Sequence, residues 1–340
     1  MVGRFGRRTF LAGLGAAGAT ALLPRIVLGG QARAAAATGK IDVHYHGNSP
    51  GFIAAIKAHN TGQTALMNWT PAKALEDMDR DGVATSIMST SEPGVYFGDA
   101  AQARMLAREN NEYFARLVAD HPTRFGFFAT LPLPDVDGSL KEIAYAFDTL
   151  KADGACFMSS YEGKYLGDPA FAPVMDELNR RNAVCYTHPF RGAMINSLPD
   201  GHALGITLST ETTITIESIL YTGTAVRCPN LRYIWSHGGG TAPYITGRLG
   251  AAIGPDGKPN ANMAALQRFY YDTAQAFNEY TLATLTTVVP NSHILFGTDY
   301  PFAQAGTVAK GLDAYGFPAA NLRAVYRENA LGLFPRLART

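Results

Sequence analysis

Along the chain, short runs of apolar, β-branched and aromatic residues alternate with longer stretches whose apolar positions recur at helical spacing. The short runs are residues 41–46, 84–90, 124–130, 154–159, 183–188, 231–237, 269–273 and 293–298, and each reads as a strand. Between them, helices are predicted over residues 71–81, 100–120, 139–151, 168–181, 211–222, 242–249 and 279–288, and a last helical pattern over 319–334 closes the chain. In the stretch 100–120, Met105, Leu106, Tyr113, Phe114 and Leu117 fall near helical spacing. Thr70-Pro71 supplies an N-cap followed by proline at the first helical position. Strands that alternate with helices imply parallel βα units, and eight such units imply a closed (β/α)₈ TIM barrel in a single domain. The stretches 191–209 and 250–262 are expected to be long loops at the barrel ends.

The first residues do not fit this pattern. Arg7-Arg8 precedes an apolar run, residues 11–23, of 13 residues, too short for a membrane span of roughly 20. Ala32-Arg33-Ala34 then offers a small-residue cleavage site. Basic start, short apolar core and small-residue exit are expected to form a twin-arginine export signal over residues 1–34. The barrel would then occupy residues 35–340 and act in the periplasm or outside the cell, with no transmembrane anchor after cleavage.

Removing the leader also changes the charge. The whole chain of 340 residues has a formal charge of +1, but residues 1–39 hold five arginines and no acid, which leaves 24 basic against 28 acidic residues. With no basic tract and no basic–aromatic interleaving, nucleic acid is excluded as a partner. Three cysteines, Cys156, Cys185 and Cys228, make no disulfide framework in a chain this long. Cys156 and Cys185 lie in apolar runs and are expected to be buried and inert.

The chemistry gathers where a barrel keeps its active site, at the C-terminal strand ends. The first strand ends His44-Tyr45-His46, and residues two apart on a strand face the same side. The fifth ends at His188, the sixth at His237 followed by three glycines, and the eighth at Asp299. A lone strand-end histidine is more often a satisfied polar residue. An H-x-H pair with His188 and Asp299 on further strands instead reads as a site for one divalent metal, zinc first and manganese second, with a coordination position left open. No organic cofactor is expected. His59 and His121 read as surface residues, and His202 sits in a loop that could approach the site.

This set, in this strand order, resembles the amidohydrolase superfamily over residues 41 to about 334. Many binuclear members carry a carboxylated lysine at the end of the fourth strand. Here that region reads Cys156-Phe157-Met158-Ser159-Ser160, with Lys164 beyond the strand, which favours a single metal. Within the superfamily the fit is to the branch of the 2-amino-3-carboxymuconate-6-semialdehyde and 6-methylsalicylate decarboxylases. It is carried by His237-Gly238-Gly239-Gly240 through Arg248, by residues 296–302, and by Gly126-Phe127-Phe128-Ala129-Thr130-Leu131-Pro132.

The resemblance implies metal-dependent, non-oxidative decarboxylation of a small aromatic or enol acid. In that reading His237 is the proton-transfer partner, and Asp299 combines ligation with proton delivery. Arg248 pairs with substrate carboxylate, across a homodimer or higher homo-oligomer. Phe302 and Trp69 are candidates for an apolar pocket wall. In the carboxymuconate enzymes a substrate-binding arginine follows Trp-x-Pro, whereas here Glu76 stands near that place with Lys73 the nearby base, which favours a monocarboxylate resembling salicylate over a dicarboxylate. Two other readings stay open. A metal-dependent hydrolase of a lactone, ester or amide could use the same ligands, and a non-catalytic binding protein could keep the barrel.

Overall fold

The computed structural model describes residues 39–61, 63–191 and 204–339, so the predicted export signal and His202 lie outside the described residues. Eight strands run parallel and pair in chain order: β1 (Lys40–His46), β2 (Val83–Ser89), β3 (Phe125–Thr130), β4 (Gly154–Met158), β5 (Val184–His188), β6 (Arg232–Trp235), β7 (Tyr270–Asp272) and β8 (Ile294–Leu295). Val43 N donates to Phe296 O at 3.0 Å and Asp299 N donates to His44 O at 2.9 Å, so the last strand segment bonds back to the first. The (β/α)₈ barrel is closed along that seam, which removes the unpaired edges an open sheet would expose.

The longer helices are α1 (Pro50–Ala58), α2 (Pro71–Asp81), α3 (Ala100–Asp120), α4 (Val136–Asp148), α5 (Ala172–Arg180), α6 (Leu204–Tyr221), α7 (Ala261–Arg268), α8 (Glu279–Val288) and α9 (Ala305–Tyr315). Thr70 caps α2 as the sequence predicts, its side chain accepting from Lys73 N at 3.2 Å. Helix α3 has the predicted bounds and buries Leu106, Phe114 and Leu117, while Met105 points outward and is 61% exposed.

Three expectations need correction. Residues 242–249 form turns and not a helix, since Pro243 and Gly247 interrupt the pattern there. The helix between β6 and β7 is α7, which starts inside the stretch expected to be a loop. Asn260 caps it, and Met263, Ala265 and Leu266 supply its buried face. Likewise α6 occupies residues 204–221, well into the expected loop 191–209.

The barrel interior is one apolar cluster. Ile41, Val43, Ile87, Phe128, Cys156, Val184, Tyr186, Ile234 and Leu295 share it with Ala330, Leu333, Phe334 and Leu337 of the C-terminal segment. Arg336 pairs with Asp153, just before β4, and Arg327 Nη1 donates to Gly39 O, just before β1. The C-terminal segment therefore plugs the end of the barrel where the strands begin, leaving the other end open for chemistry. Cys156 and Cys185 are buried free thiols, as expected, and Cys228 is a third. Burial pushes the Cys156 thiol up to about 12, which keeps it protonated and inert.

Candidate metal centre and active site

The pairing of β1 with β2 shifts register between Asp42 and Tyr45. Such irregularities re-aim side chains near active sites. Here Val43 joins the barrel interior, Tyr45 turns into the outer core beside Trp69, and His44 and His46 both reach the ligand cluster. One ligand atom each from His44, His46, His188 and Asp299 lies within 4.8 Å of all the others, and all four residues are buried. Asp299 Oδ1 is 3.1 Å from His44 Nε2, 3.1 Å from His46 Nε2 and 4.0 Å from His188 Nε2. On its other side, Asp299 Oδ2 is 3.3 Å from His237 Nε2. The three predicted histidine ligands and the predicted proton-transfer residue His237 thus surround the carboxylate of Asp299, the fourth predicted ligand.

The supporting shell fixes which imidazole nitrogen faces that carboxylate. His44 Nδ1 donates to Asp272 Oδ2 at 2.8 Å, and His188 Nδ1 donates to Pro189 O at 2.9 Å. Ser89 Oγ donates to Tyr45 O, which leaves it to accept from His46 Nδ1 at 3.3 Å. Each Nδ1 is therefore engaged, and each Nε2 lone pair converges on the same point. Partners of this kind orient metal-ligating histidines and raise their basicity. Asp272 does more, because its Oδ1 accepts from the backbone N–H of His237 at 2.9 Å and of Ala274 at 3.0 Å.

Electrostatics favour a cation at the convergence point. Burial lowers the pKa of both His46 and His188, so these imidazoles are neutral and ready to donate lone pairs. His44 differs. Burial pulls its pKa down, but Asp272 and then Asp299 reverse this and push it up to about 10. Counted as side chains alone, the two carboxylates draw a proton onto His44, and a divalent ion would take that proton's place. His44 Nε2 is moreover a buried nitrogen with no hydrogen-bond partner among the described residues. A buried, unpartnered lone pair among neutral imidazoles and a carboxylate fits a metal with nitrogen and oxygen ligands.

The two residues expected to move protons hold unusual backbone. Asp299 has φ 68° and His237 has φ 55°, both left-handed and uncommon outside glycine. The turn after His237 needs glycine at Gly240, whose φ is 63° and where a Cβ would lie 2.2 Å from Ser209 O. The three glycines after β6 thus let the chain turn tightly against α6 while holding His237 over Asp299.

A cavity of 490 Å³ opens above this floor, lined by His188, His237, Asp299 and Phe302 together with Gln63, Glu92 and Arg191. Phe302 takes its expected place on the wall, its ring 6.0 Å from that of His46. Trp69 does not: it is buried in the core cluster that contains Tyr45 and is not among the lining residues. Arg248 is exposed in the turns after β6, also outside the lining. Lys73 pairs with Asp77 and Glu76 on the surface of α2. Four residues that shape the site escaped sequence reasoning: Asp272, Glu92, Arg191 and Gln63. Asp272 had a usable signal, since it ends the seventh strand just as Asp299 follows the eighth.

A closed barrel with this ligand cluster at its C-terminal strand ends defines a metal-dependent enzyme of the TIM-barrel class. The Amidohydrolase family signature matches residues 41–336, and the chain belongs to that family. It is 36% identical over 324 residues to a 6-methylsalicylic acid decarboxylase of Aspergillus aculeatus, covering 88% of this chain and 97% of that protein. Among solved structures, a 2,6-dihydroxybenzoate decarboxylase complexed with 2,6-dihydroxybenzoate superposes with a TM-score of 0.75 at 25% identity, covering 88% of this chain and 99% of that one. A dihydroxybenzoic acid decarboxylase from Polaromonas, solved with manganese and 2-nitroresorcinol, shares the fold with a TM-score of 0.76 at 23% identity, covering 88% and 97% of the two chains.

Proposed function

We propose that this protein is a metal-dependent, non-oxidative decarboxylase of a small aromatic carboxylic acid, an ortho-hydroxybenzoate of the 6-methylsalicylate type. The observation that carries the reading is the single carboxylate of Asp299, shared between three convergent imidazoles on one side and His237 on the other. His44, His46, His188 and Asp299 would hold the metal, which supplies Lewis acidity and a template for substrate oxygens when bound. Zinc is the ion this nitrogen-rich set favours, with manganese the alternative.

The chain's own residues do the rest. Asp299 is held ionised: burial would raise its pKa, but the charge of His44 and the hydrogen bond from His237 hold it well below the usual carboxylate range. His237 Nε2 donates to Asp299 Oδ2, so a proton held on that nitrogen can pass by way of the carboxylate to a ring carbon above it. That proton forms a C–H bond at the carboxylated carbon. The C–C bond to the carboxylate then breaks, its electron pair restores the aromatic ring, and CO₂ leaves. Solvent returns one proton to His237, so an acid anion plus one proton becomes a neutral arene plus CO₂. Phe302 keeps one wall of the pocket apolar, which favours departure of an uncharged product.

A homodimer is part of this reading. Arg248 is exposed and away from its own pocket, so a role for it in substrate binding would come from the neighbouring subunit. The twin-arginine leader, with export to the periplasm or beyond, stands as a proposal on the sequence of residues 1–34.

The test is incubation of the mature chain, loaded with zinc or manganese, with hydroxybenzoates, enol acids, lactones and esters, following headspace CO₂ and product mass together. Metal-dependent CO₂ release from a hydroxybenzoate is the expected result. Addition of water without CO₂ would make the protein a hydrolase on the same metal site.

A further inference from the structure

The cavity contains a cation that the mechanism above does not use. Arg191, three residues beyond His188, projects from the loop after β5 and lines the same space as Asp299 and His237. It is pinned in place. Its Nε donates to Glu92 Oε1, and its backbone N–H donates to Glu92 Oε2 at 3.1 Å. Glu92 comes from the loop after β2 and accepts a further bond at 3.1 Å from Gln63 Nε2, on the connection between α1 and α2. Three separate connections thus meet in one polar cluster on the pocket wall. Glu92 is only 6% exposed, and burial is what raises its pKa. Asp299 also raises it, which brings the pair electrostatically within range of the reaction floor.

The way Glu92 grips the guanidinium decides what is left over. It takes Nε and the backbone N–H, so among the described residues Nη1 and Nη2 have no partner. The Nη1/Nη2 edge is one of the two edges of a guanidinium that can grip a carboxylate with two parallel hydrogen bonds. We infer that Arg191, held by Glu92, is the carboxylate-recognition residue of this pocket and selects monoanionic ortho-hydroxybenzoates over their decarboxylated phenols. This rests on the decarboxylase reading for its substrate class, and it assigns to a residue of the same chain the grip that the sequence had suggested for Arg248.

The pairing suits a reaction that destroys the charge it binds. An unopposed arginine would stabilise the substrate anion and be left bare when neutral CO₂ departs. Arg191 is already neutralised by Glu92, so it orients the carboxylate through directional bonds while adding little net charge. Once CO₂ leaves, the ion pair remains satisfied. Interactions equal in ground and transition states lower KM without changing kcat, which is the signature expected of this residue.

Equilibrium binding separates this role from a structural one. The zinc-loaded protein and its Arg191→Gln, Arg191→Lys and Glu92→Gln variants are titrated with 6-methylsalicylate and with 3-methylphenol, the same ring without its carboxylate. Circular dichroism and metal content serve as checks on folding. Both Arg191 variants should bind the acid about 10- to 100-fold more weakly, the span given by losing a charge-assisted bidentate pair. Binding of the phenol should change by less than about threefold, since it makes no such pair. Glu92→Gln should move the acid-to-phenol ratio in the same direction by a smaller factor. Equal weakening of acid and phenol, an unchanged ratio, or no binding of any hydroxybenzoate by the unaltered protein would each overturn the assignment. Because no turnover is needed, this result is read independently of CO₂ release, on which the decarboxylase reading itself stands or falls.

Discussion

Asp272 and His44, 228 positions apart in the chain, meet at 2.8 Å between Oδ2 and Nδ1, and the carboxylate thereby decides which face of that imidazole the site can use. Replacing Asp272 by Asn swaps a carboxylate for a neutral amide that supports the tautomer more weakly. Loss of such an outer partner typically costs about 10- to 100-fold in metal affinity or activity. Asp272→Asn is therefore expected to weaken zinc binding by a factor in that range, read by competition with a chromophoric chelator. Unchanged affinity would reduce Asp272 to a backbone clamp on His237 and Ala274.

Asp299 should be the most sensitive position in the chain. Asp299→Asn replaces the carboxylate by a neutral amide whose single oxygen cannot serve both the imidazole cluster and His237, and turnover should fall by about 10²–10⁴-fold or more, the usual contribution of a positioned acid–base group. The barrel should stay folded by circular dichroism. Turnover near that of the unaltered protein would take Asp299 out of the proton path.

Subunit mixing tests Arg248. His237→Ala and Arg248→Ala subunits, each inactive alone if both residues serve the reaction, should regain partial activity when exchanged into mixed dimers. The measurement is CO₂ release after exchange, verified by mass-tagged subunits. Full activity of Arg248→Ala by itself would remove this arginine from catalysis and leave the carboxylate to Arg191.

Glu177 gives a pH signature away from the site. Its hydrogen bond from Arg180, assisted by Arg181 and opposed by partial burial, lowers its pKa to about 2. A carboxylate whose folded pKa is depressed adds stability that is complete above its unfolded value of about 4.3. That stability fades as the pH falls through about 2. Glu177→Gln should lower stability at pH 7 by about 1 kcal/mol after allowance for solvent screening. The gap should narrow as urea unfolding is repeated toward pH 3, and a gap independent of pH would show that packing, not charge, is what Gln fails to replace.

Much of this was legible in the residues, for identifiable reasons. The strands were readable because both faces of a barrel strand are buried, which yields compact apolar runs such as Phe125–Thr130. Histidines and an aspartate ending those runs stand out because a strand terminus in a barrel has a known location. Helix α9 was hidden by Gly306 and Gly311, which break the periodicity a helix should show. Arg191 and Glu92 were invisible for another reason: their meaning lies in a contact between loops 99 residues apart, and loops carry no period from which to infer a neighbour. Trp69 shows the converse error, a large aromatic near a motif that serves packing alone.

The seam that closes the barrel has a consequence for how the protein comes to exist. Asp42 accepts from Thr298, and Asp299 N donates to His44 O, so the candidate metal ligands straddle a junction where chain positions some 256 residues apart must find each other. Joining such distant points carries a loop-closure cost in chain entropy, and a metal shared by His44 and Asp299 would tie the seam like a clasp. On the proposed mechanism, a nascent chain would have no catalytic centre until its last strand had been made. If Asp299 serves as proposed, a truncated product that ends before residue 299 would be born inert, and ion capture would double as a check that the last strand has been completed.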